Sequence, residues 1–308
     1  MLDKLEHFLL RLESNLIEKN FPMLYKGRPP DAHKGSLGSL AVLGGSRGME
    51  GALILAGRSA LKAGCGKVFL HFTQRKVPLK YVDSAPELMV RSYRDYLELA
   101  GSFSATVFGC GLGLSSLAEE VFYILLDASK DSRTVLDADA LNLLTKYSGA
   151  IKLNPQQHIL TPHMGEAARL LGVTIKQVQD ARLHAAQILS EKYAAIVVLK
   201  GPSTIVYSSS EKKTYSNSTG NAGLATAGTG DVLAGMIGSF LAQGYAPWEA
   251  ATAGVFLHGL AADWLVFNGI GPIGLTASEL TDAARLLHNA IVCQHTTEEK
   301  DYEAFPAQ

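Results

Sequence analysis

Short apolar segments of strand length alternate with longer amphipathic segments along most of this chain, and that alternation limits the fold more than any other feature. Runs such as "SLAVLGG", "KVFLHF" and "AAIVVLKG" are apolar throughout, as strands buried on both faces are. Segments between them, such as "GALILAGRSALKAG", have the apolar spacing and length of helices. Parallel strands need crossover connections, which are usually helices. The order therefore predicts an α/β fold with helices on both faces of a mostly parallel sheet.

The remaining segments complete this prediction. "STIVYSS" and "KKTYSN" predict a hairpin, and residues 174–193 predict one long helix. Three helices are expected near the end of the chain, over 229–243, 247–268 and 277–293. The uncharged segment 232–248 is too polar and too rich in Gly and Pro for a membrane span of ~20 apolar residues. We therefore expect it to be a buried helix.

No linker and no internal repeat divides the chain. The sequence predicts an N-terminal helix over 1–25, a single domain over 26–294 and a disordered polar tail over 295–308. The first helix is amphipathic and mixes acids with bases, unlike a signal peptide.

Composition excludes several classes of function. The formal net charge is −1 and no run of Lys and Arg with aromatic residues occurs, which argues against a nucleic-acid or anionic-membrane partner. Cys65, Cys110 and Cys293 lie far apart without a CxxC pair, which argues against a zinc ribbon or a disulfide framework. Reduced thiols in a cytoplasmic protein are expected. Apolar helices such as "WEAATAGVFLHGLAADWLV" predict a homo-oligomer.

The segments that carry chemistry all follow predicted strands. They are "LGGS", "FGCGLG", "LDADAL", "LTPHMGE", "VLKGPST" and "AGTGD". Ligands of open α/β sheets bind beyond the carboxyl ends of the strands, so these segments predict one site.

The segment "AGTGD" is the best candidate for a phosphate-binding site, because two more familiar phosphate-binding motifs are not matched in this sequence. No window matches a P-loop, and Leu114 occupies the third glycine position of a dinucleotide fingerprint in "GCGLGL". Gly228 and Gly230 allow backbone N–H groups to approach a phosphate, and a helix N-terminus follows. Asp231 then stands where a carboxylate can take a proton from a hydroxyl. The alternative is that Asp231 is only a first-turn helix acid and the glycines allow tight packing.

The chain closely resembles the ADP/ATP-dependent NAD(P)H-hydrate dehydratases. The motifs that carry this resemblance are "AGTGD", "TPHMGE", "VLKGPST", "DADAL" and "PPDAHKGSLG…LGGS". The resemblance covers residues 28–287, nearly the whole chain. It implies a ribokinase-like, three-layer α/β/α fold. It also implies a stand-alone enzyme that dehydrates the S epimer of C6-hydrated NADH or NADPH. ADP or ATP would phosphorylate the hydroxyl, with Mg²⁺, before phosphate leaves. A tetramer and a separate NAD(P)H-hydrate epimerase as a functional partner are further implications.

The resemblance also assigns roles to residues near the reacting groups. It implies that Asp231 deprotonates the substrate hydroxyl and that Gly228, Thr229 and Gly230 stabilise the transferring phosphoryl group. The nucleotide is expected on Gly230 and on the segment Lys200, Gly201, Pro202, Ser203 and Thr204. From the residues alone, that segment is equally an ordinary approach to a hairpin with a surface lysine.

Further positions are assigned to the hydrated dinucleotide and the metal. Ala52, Gly111, His163 and Asp231 match substrate-binding positions, and Glu166 matches the magnesium and phosphate region. Each has a structural alternative: small residues permit packing, a histidine after a strand donates structural hydrogen bonds, and a glutamate begins a helix. Asp139 and Asn142 belong to a strand-end turn that faces the same region. Asp137 and Asp139 could equally form a turn followed by a helix cap, and one of them is expected to be the cap. His71 and His258 are expected to be structural.

Several positions depart from the family motifs. These are Met49, Cys110, Met164 and Ala227. Two other functions fit the same residues. One is a ribokinase-like kinase of a vitamin precursor, with ATP as donor and Asp231 as base. The other is a nucleotide-sensing module without turnover, against which an intact Asp231 argues.

Overall fold

A nine-stranded sheet forms the centre of the protein. In this computed structural model residues 2–9, 17, 19–128, 131–147 and 151–303 are described. The strands are β1 (Ser39–Gly44), β2 (Lys67–Phe72), β3 (Met89–Ser92), β4 (Ala105–Phe108), β5 (Thr134–Leu136), β6 (His158–Leu160), β7 (Ile196–Leu199), β8 (Ile205–Ser208) and β9 (Lys213–Ser216). Their order is β3-β2-β1-β4-β5-β6-β7-β8-β9. The pairs from β3 to β7 are parallel and β8 and β9 are antiparallel, so the mostly parallel sheet and the hairpin are confirmed.

Helices cover both faces of the sheet. They are α1 (Leu2–Leu9), α2 (Glu50–Lys62), α3 (Tyr93–Leu99), α4 (Ser116–Ala128), α5 (Asp139–Leu144), α6 (Met164–Leu171), α7 (Ile175–Asp180), α8 (Arg182–Tyr193), α9 (Thr229–Ala242), α10 (Pro247–Phe267) and α11 (Ala277–Glu303). The sequence patterns did not predict α3. Part of the predicted helix over 1–25 lies outside the described residues.

Two predicted helix boundaries differ from the structure. The single helix predicted over 174–193 is wrong, because Ala181 leaves the helical region (φ −141°, ψ 52°) and separates α7 from α8. The break starts a new helix at Arg182, whose side chain contacts the turn after β7. Helix α11 continues to Glu303, ten residues past the predicted end, because no Gly or Pro interrupts the sequence there. The disorder predicted for 295–308 stays a prediction.

The sheet separates two apolar cores, which explains why its strands are apolar throughout. Along β1, Leu40 and Val42 enter the core shared with α2, α9, α10 and α11, whereas Ala41 and Leu43 enter the core shared with α4, α6 and α8. Successive side chains of a strand point to opposite faces, so burial on both faces removes the polar alternation of a half-exposed strand.

Helix α9 lies at the centre of the first core. Residues 232–242 are all buried. A Cβ on Gly235 would lie 2.0 Å from the carbonyl oxygen of Ala56, so only glycine allows α9 to approach α2 this closely. The hydroxyl of Ser59 also donates to the carbonyl of Val232, at 2.6 Å. These contacts fix the N-terminus of α9 at the carboxyl edge of the sheet.

Helix α10 is long and apolar enough to cross a membrane by length and composition alone. However, 83% of its most apolar window is buried inside the protein, as in the core helix of a soluble domain. Of the buried helix predicted over 232–248, residues 232–242 belong to α9 and are buried, whereas residues 243–246 form the turn before α10.

Candidate active site

The strand register brings the predicted site segments to one edge. Phe108 pairs with Leu136 across β4 and β5, and Leu136 pairs with Leu160 across β5 and β6. The residues after these strands therefore leave the sheet side by side. The hydroxyl of Thr161 donates to Asp137 Oδ1 at 2.7 Å, which fixes the carboxylate at the centre of this edge.

Lys200 and Asp137 form a buried ion pair at this edge. Lys200 Nζ donates to Asp137 Oδ1 at 2.6 Å, and its side chain is only 17% exposed. Burial lowers the pKa of Lys200, but the negative charges of Asp137 and Glu166 more than offset this and raise the pKa above its usual value. The amine is therefore a fixed positive charge beside two carboxylates.

Neither aspartate of "DADAL" caps helix α5, so that prediction is wrong. The residue before the helix is Ala138, which makes no side-chain cap. Asp137 is engaged by Thr161 and Lys200 instead. Asp139 accepts a hydrogen bond from the amide of Gly113 at 2.8 Å and thereby ties the loop after β4 to the loop after β5.

Asp231 lies in the first turn of α9, next to this ion pair. Its carboxylate oxygen, the Cys110 sulfur and an Asp137 oxygen all lie within 4.8 Å of one another. Burial, and after it the negative charge of Asp137, raises the pKa of Asp231 to about 6, although Cys110 and Lys200 act in the opposite direction. Burial and both carboxylates raise the pKa of the Cys110 thiol, so it stays protonated. Asp231 is a carboxylate whose proton affinity suits general-base chemistry near neutral pH.

The turn before Asp231 has the properties expected of an anion site. Gly228 has a φ of +89°, and a Cβ there would lie 2.6 Å from Leu55 Cδ1, so only glycine fits. The amides of Gly230 and Asp231 have no acceptor among the described residues. The Cβ position of Gly230 lies 3.3 Å from Lys200 Nζ. Free amides, a helix N-terminus and an ammonium group thus converge on one point.

This point forms one end of a cavity of about 520 Å³. The predicted nucleotide segment lines it together with Thr229 and Gly230; its members are Lys200, Gly201, Pro202, Ser203 and Thr204. The opposite wall comes from the segment after β9 and from α10, including Asn217, Asn221 and His258. The structure therefore brings the two predicted phosphate and nucleotide segments together, and sequence patterns missed the opposite wall.

Two further residues that sequence patterns did not assign to the site support this cavity. The guanidinium of Arg182 donates to the carbonyls of Leu199 and Ser203, at 3.4 and 3.3 Å, and also contacts that of Pro202. It therefore holds the turn after β7 in shape. His258 was expected to be structural; its Nε2–H donates to the carbonyl of Thr229 at 2.9 Å, and it also lines the cavity.

His163 and Glu166 form a reciprocal cap at the start of α6. His163 Nδ1 accepts from the amide of Gly165 at 2.9 Å, and Glu166 Oε2 accepts from the amide of His163 at 2.8 Å. The His163 side chain is 53% exposed, whereas Glu166 is buried. Burial raises the pKa of Glu166 to about 7, with Lys200 opposing. Burial and the charge of Lys200 lower the pKa of His163, which keeps the ring neutral.

Ala52 and Gly111 meet next to Cys110. The Cβ position of Gly111 lies 3.2 Å from Ala52 Cβ, and the carbonyl of Gly111 accepts from the amide of Ser46 at 2.7 Å. These small residues bring the loops after β1 and β4 together near Cys110, which contacts Asp231. Asp231 therefore directly follows two residues that line the nucleotide-sized cavity, Thr229 and Gly230, and its carboxylate contacts Cys110 beside these small residues.

Comparison with known proteins places this arrangement in a family. The family model described as NAD(P)H-hydrate dehydratase matches residues 40–285. The chain belongs to the NAD(P)H-hydrate dehydratase family. The ADP-dependent (S)-NAD(P)H-hydrate dehydratase of Neisseria meningitidis is 46% identical over 273 residues, which cover 88% of this chain and 92% of that protein. The resemblance inferred from the sequence motifs is confirmed.

Solved structures agree with this membership in the dehydratase family. One match is the ADP/ATP-dependent NAD(P)H-hydrate dehydratase of Bacillus subtilis, co-crystallised with ATP and Mg²⁺, with a TM-score of 0.77 and 30% sequence identity. The superposition covers 89% of this chain and 97% of the Bacillus subtilis chain. A ribokinase-like superfamily protein of Enterococcus faecalis matches with a TM-score of 0.76 and 26% sequence identity. The superposition covers 91% of this chain and 95% of the Enterococcus faecalis chain, which confirms the ribokinase-like fold.

Other dehydratase-family relatives are longer. The bifunctional NAD(P)H-hydrate repair enzyme of Coxiella burnetii is 41% identical over 275 residues, which cover 87% of this chain but 54% of that protein. The chain therefore spans about half the length of the bifunctional relatives that it matches.

Proposed function

We propose that this dehydratase-family member restores C6-hydrated NADH or NADPH, in the S configuration, in a reaction that consumes ADP. The observation that carries the proposal is that Asp231 directly follows Gly230, which lines the nucleotide-sized cavity beside Lys200 and has a free backbone amide. The name of the Neisseria meningitidis relative supports the substrate and the phosphoryl donor.

In the first step, Asp231 takes the proton of the C6 hydroxyl as its oxygen attacks the terminal phosphoryl group of the nucleotide. The carboxylate is suited to this because its raised pKa of about 6 lies close to neutral pH while it still ionises. The amides of Gly230 and Asp231 and the Lys200 ammonium lie where negative charge develops on the phosphoryl oxygens. AMP leaves when ADP is the donor.

In the second step, the phosphorylated ring loses phosphate. The C6–O bond breaks with its electron pair on the phosphate, and loss of a proton from C5 re-forms the ring double bond. Phosphate is a far better leaving group than hydroxide at neutral pH, which explains why a kinase-like site serves a dehydration. The same amides and Lys200 stabilise the departing dianion.

A magnesium ion fits the charges of this site. Mg²⁺ in phosphoryl-transfer sites is held by one or two carboxylates together with substrate phosphates. Glu166 is buried, with a pKa raised to about 7, and lies close enough to Lys200 and Asp137 to be affected by both. Glu166 would hold the ion, with Asp137 nearby, and the ion would neutralise phosphate charge during transfer.

The proposal also includes the cellular location, the oligomeric state and a partner enzyme. A cytoplasmic location agrees with three cysteines that form no disulfide in the structure. A homo-oligomer, and action alongside a separate epimerase that interconverts hydrate epimers, complete the proposal.

Recovery of NADH tests the proposed reaction. Protein, Mg²⁺ and ADP are mixed with the separated S hydrate of NADH, and the NADH absorbance band is followed while AMP and phosphate are measured. We expect the absorbance to rise with one AMP and one phosphate per NADH formed. Mixtures without ADP, or with the R hydrate alone, are the controls. Phosphorylation of a hydroxymethyl-pyrimidine or thiazole alcohol without recovery of NADH would establish the kinase alternative instead.

A further inference from the structure

A second cavity, of about 550 Å³, lies at the opposite edge of the sheet. It is lined by the connector before β1, the C-terminal ends of α2 and α9, and one side of α11; Leu37 and Gly64 mark the strand starts beside it. Because the candidate active site lies beyond the carboxyl ends of the strands, this cavity is separate from it. Helices α2 and α9 begin at the active site and end at the cavity.

The lining of this cavity is strongly basic. It contains four cationic side chains, those of Lys26, Arg28, Lys62 and Arg285. Within the described part of the chain, no acidic residue lines this cavity. One acid outside the lining, Asp282, pairs with Lys62 and, at 3.1 Å, with Arg285. Three formal positive charges therefore remain uncompensated in a chain whose net charge is −1.

Helix-end stabilisation explains only part of this basic lining. Lys62 belongs to the last turn of α2, and Arg28 donates to the carbonyl of Gly64 at 2.7 Å, as cations at a helix C-terminus do. Lys26 and Arg285 have no such role. Their charges face a cavity that also contains the amide side chains of Gln243 and Asn289.

One nitrogen of the His288 imidazole lacks a hydrogen-bond partner, although the ring is hydrogen-bonded to the backbone of Leu24. The Nε2 atom of His288 is excluded from solvent and has no partner among the described residues. This nitrogen is closed off from the cavity, so the basic side chains of the lining, and not the imidazole, are the groups that can contact a bound molecule. His288 packs edge-on against Phe240, with ring centroids 5.8 Å apart, so the ring is fixed in the wall.

We propose that this cavity binds a phosphorylated small molecule at a site distinct from the catalytic one. Two arginines offer planar, bidentate donors that match phosphate oxygens, and two lysines add charge. The cavity is larger than an inorganic phosphate and leaves room for the organic part of such a molecule beside Gln243 and Tyr245. The inference does not depend on the proposed reaction.

Equilibrium dialysis with radiolabelled inorganic phosphate and with ribose 5-phosphate tests the site. The full chain is compared with an Arg28→Gln/Arg285→Gln double variant, and we expect the variant to lose one equivalent of bound ligand, with at least about tenfold weaker binding there. Turnover should be unchanged, because neither arginine belongs to the active site. Equal stoichiometry and affinity in both proteins would overturn the proposal.

Two controls make the outcome specific. A Lys176→Gln/Lys213→Gln variant removes two cations that sit in exposed ion pairs elsewhere. If it weakens phosphate binding equally, overall charge explains the binding and the site is overturned. Tighter binding of citrate than of ribose 5-phosphate would overturn the phosphate class. If the double variant does not fold, Lys26→Gln alone should still weaken binding, and no change would refute the site.

Discussion

At the scale of single residues, Asp231 carries the proposed chemistry, and Asp231→Asn tests it. The amide keeps the shape but cannot accept the hydroxyl proton, so we expect turnover to fall by on the order of 10²-fold or more. Nucleotide affinity should change little, because the cavity and the amides remain. NADH recovery and ADP binding by calorimetry are the measurements. The control is Asp180→Asn, an exposed acid paired with Lys176, which should retain full activity.

The wild-type pH profile tests the same residue independently. With the pKa of Asp231 raised to about 6, the base is ionised above that pH and protonated below it. We expect kcat/KM to be level above about pH 7 and to fall towards tenfold per pH unit below about pH 6. A level profile down to pH 5 would show that no group with this pKa acts as the base.

Lys200 has a different expected effect. Its ammonium lies beside Gly230 at the phosphate end of the cavity, so Lys200→Ala should weaken ADP binding by at least about tenfold. Removal of the Lys200 ammonium also leaves the buried Asp137 carboxylate without its partner. The thermal unfolding midpoint of the variant should therefore be measured together with ADP binding. If KM rises only for the hydrated dinucleotide, Lys200 does not bind the nucleotide.

At the scale of secondary-structure elements, the break between α7 and α8 serves the nucleotide cavity. It places Arg182 against the carbonyls of the turn after β7, which has a left-handed residue at Ser203 (φ +50°). Arg182→Gln should loosen that turn and raise KM for ADP several-fold with little change in kcat, because the residue contacts no reacting group. Steady-state kinetics measure both. A fall in kcat at unchanged KM would contradict this role. Arg94→Gln, which removes a contact with the Tyr93 ring away from the cavity, is the matched variant.

The element scale also shows what sequence patterns can and cannot predict. Strands buried on both faces have an unmistakable apolar pattern, so the sheet and its carboxyl-edge site were predictable. The break at Ala181 was not predicted, and the contact that accompanies it joins Arg182 to residues about twenty positions away, which no local pattern records. Likewise, the ion pair of Asp137 with Lys200 joins residues 63 positions apart, and the local pattern suggested a helix cap instead. Motif resemblance located the Lys200–Thr204 segment but not Arg182 or His258, which belong to helices without a motif.

At the scale of the whole molecule, the active site reduces stability, and the effect depends on pH. The folded-state pKa of Asp231, about 6, lies above its ordinary value of 3.8. Well below the ordinary pKa of 3.8 both states hold the proton and there is no penalty. As pH rises through 4 to 6, the unfolded chain releases the proton first, so the folded state loses stability. Above about pH 6 the loss is complete, at roughly 1–3 kcal/mol.

Asp231→Asn should therefore be more stable than the wild type although its turnover is lower by on the order of 10²-fold or more. The neutral amide removes both the buried charge and its repulsion by Asp137, so the gain in unfolding free energy should be larger at pH 8 than at pH 5, by about 1 kcal/mol. Thermal unfolding at both pH values, with Asp180→Asn as the control, measures it. Because only the ionised, repelled form of the carboxylate can act as the base, the charge that destabilises the fold is the one that the proposed reaction uses. If the unfolding free energy does not increase, or increases equally at both pH values, the charge of Asp231 does not destabilise the fold.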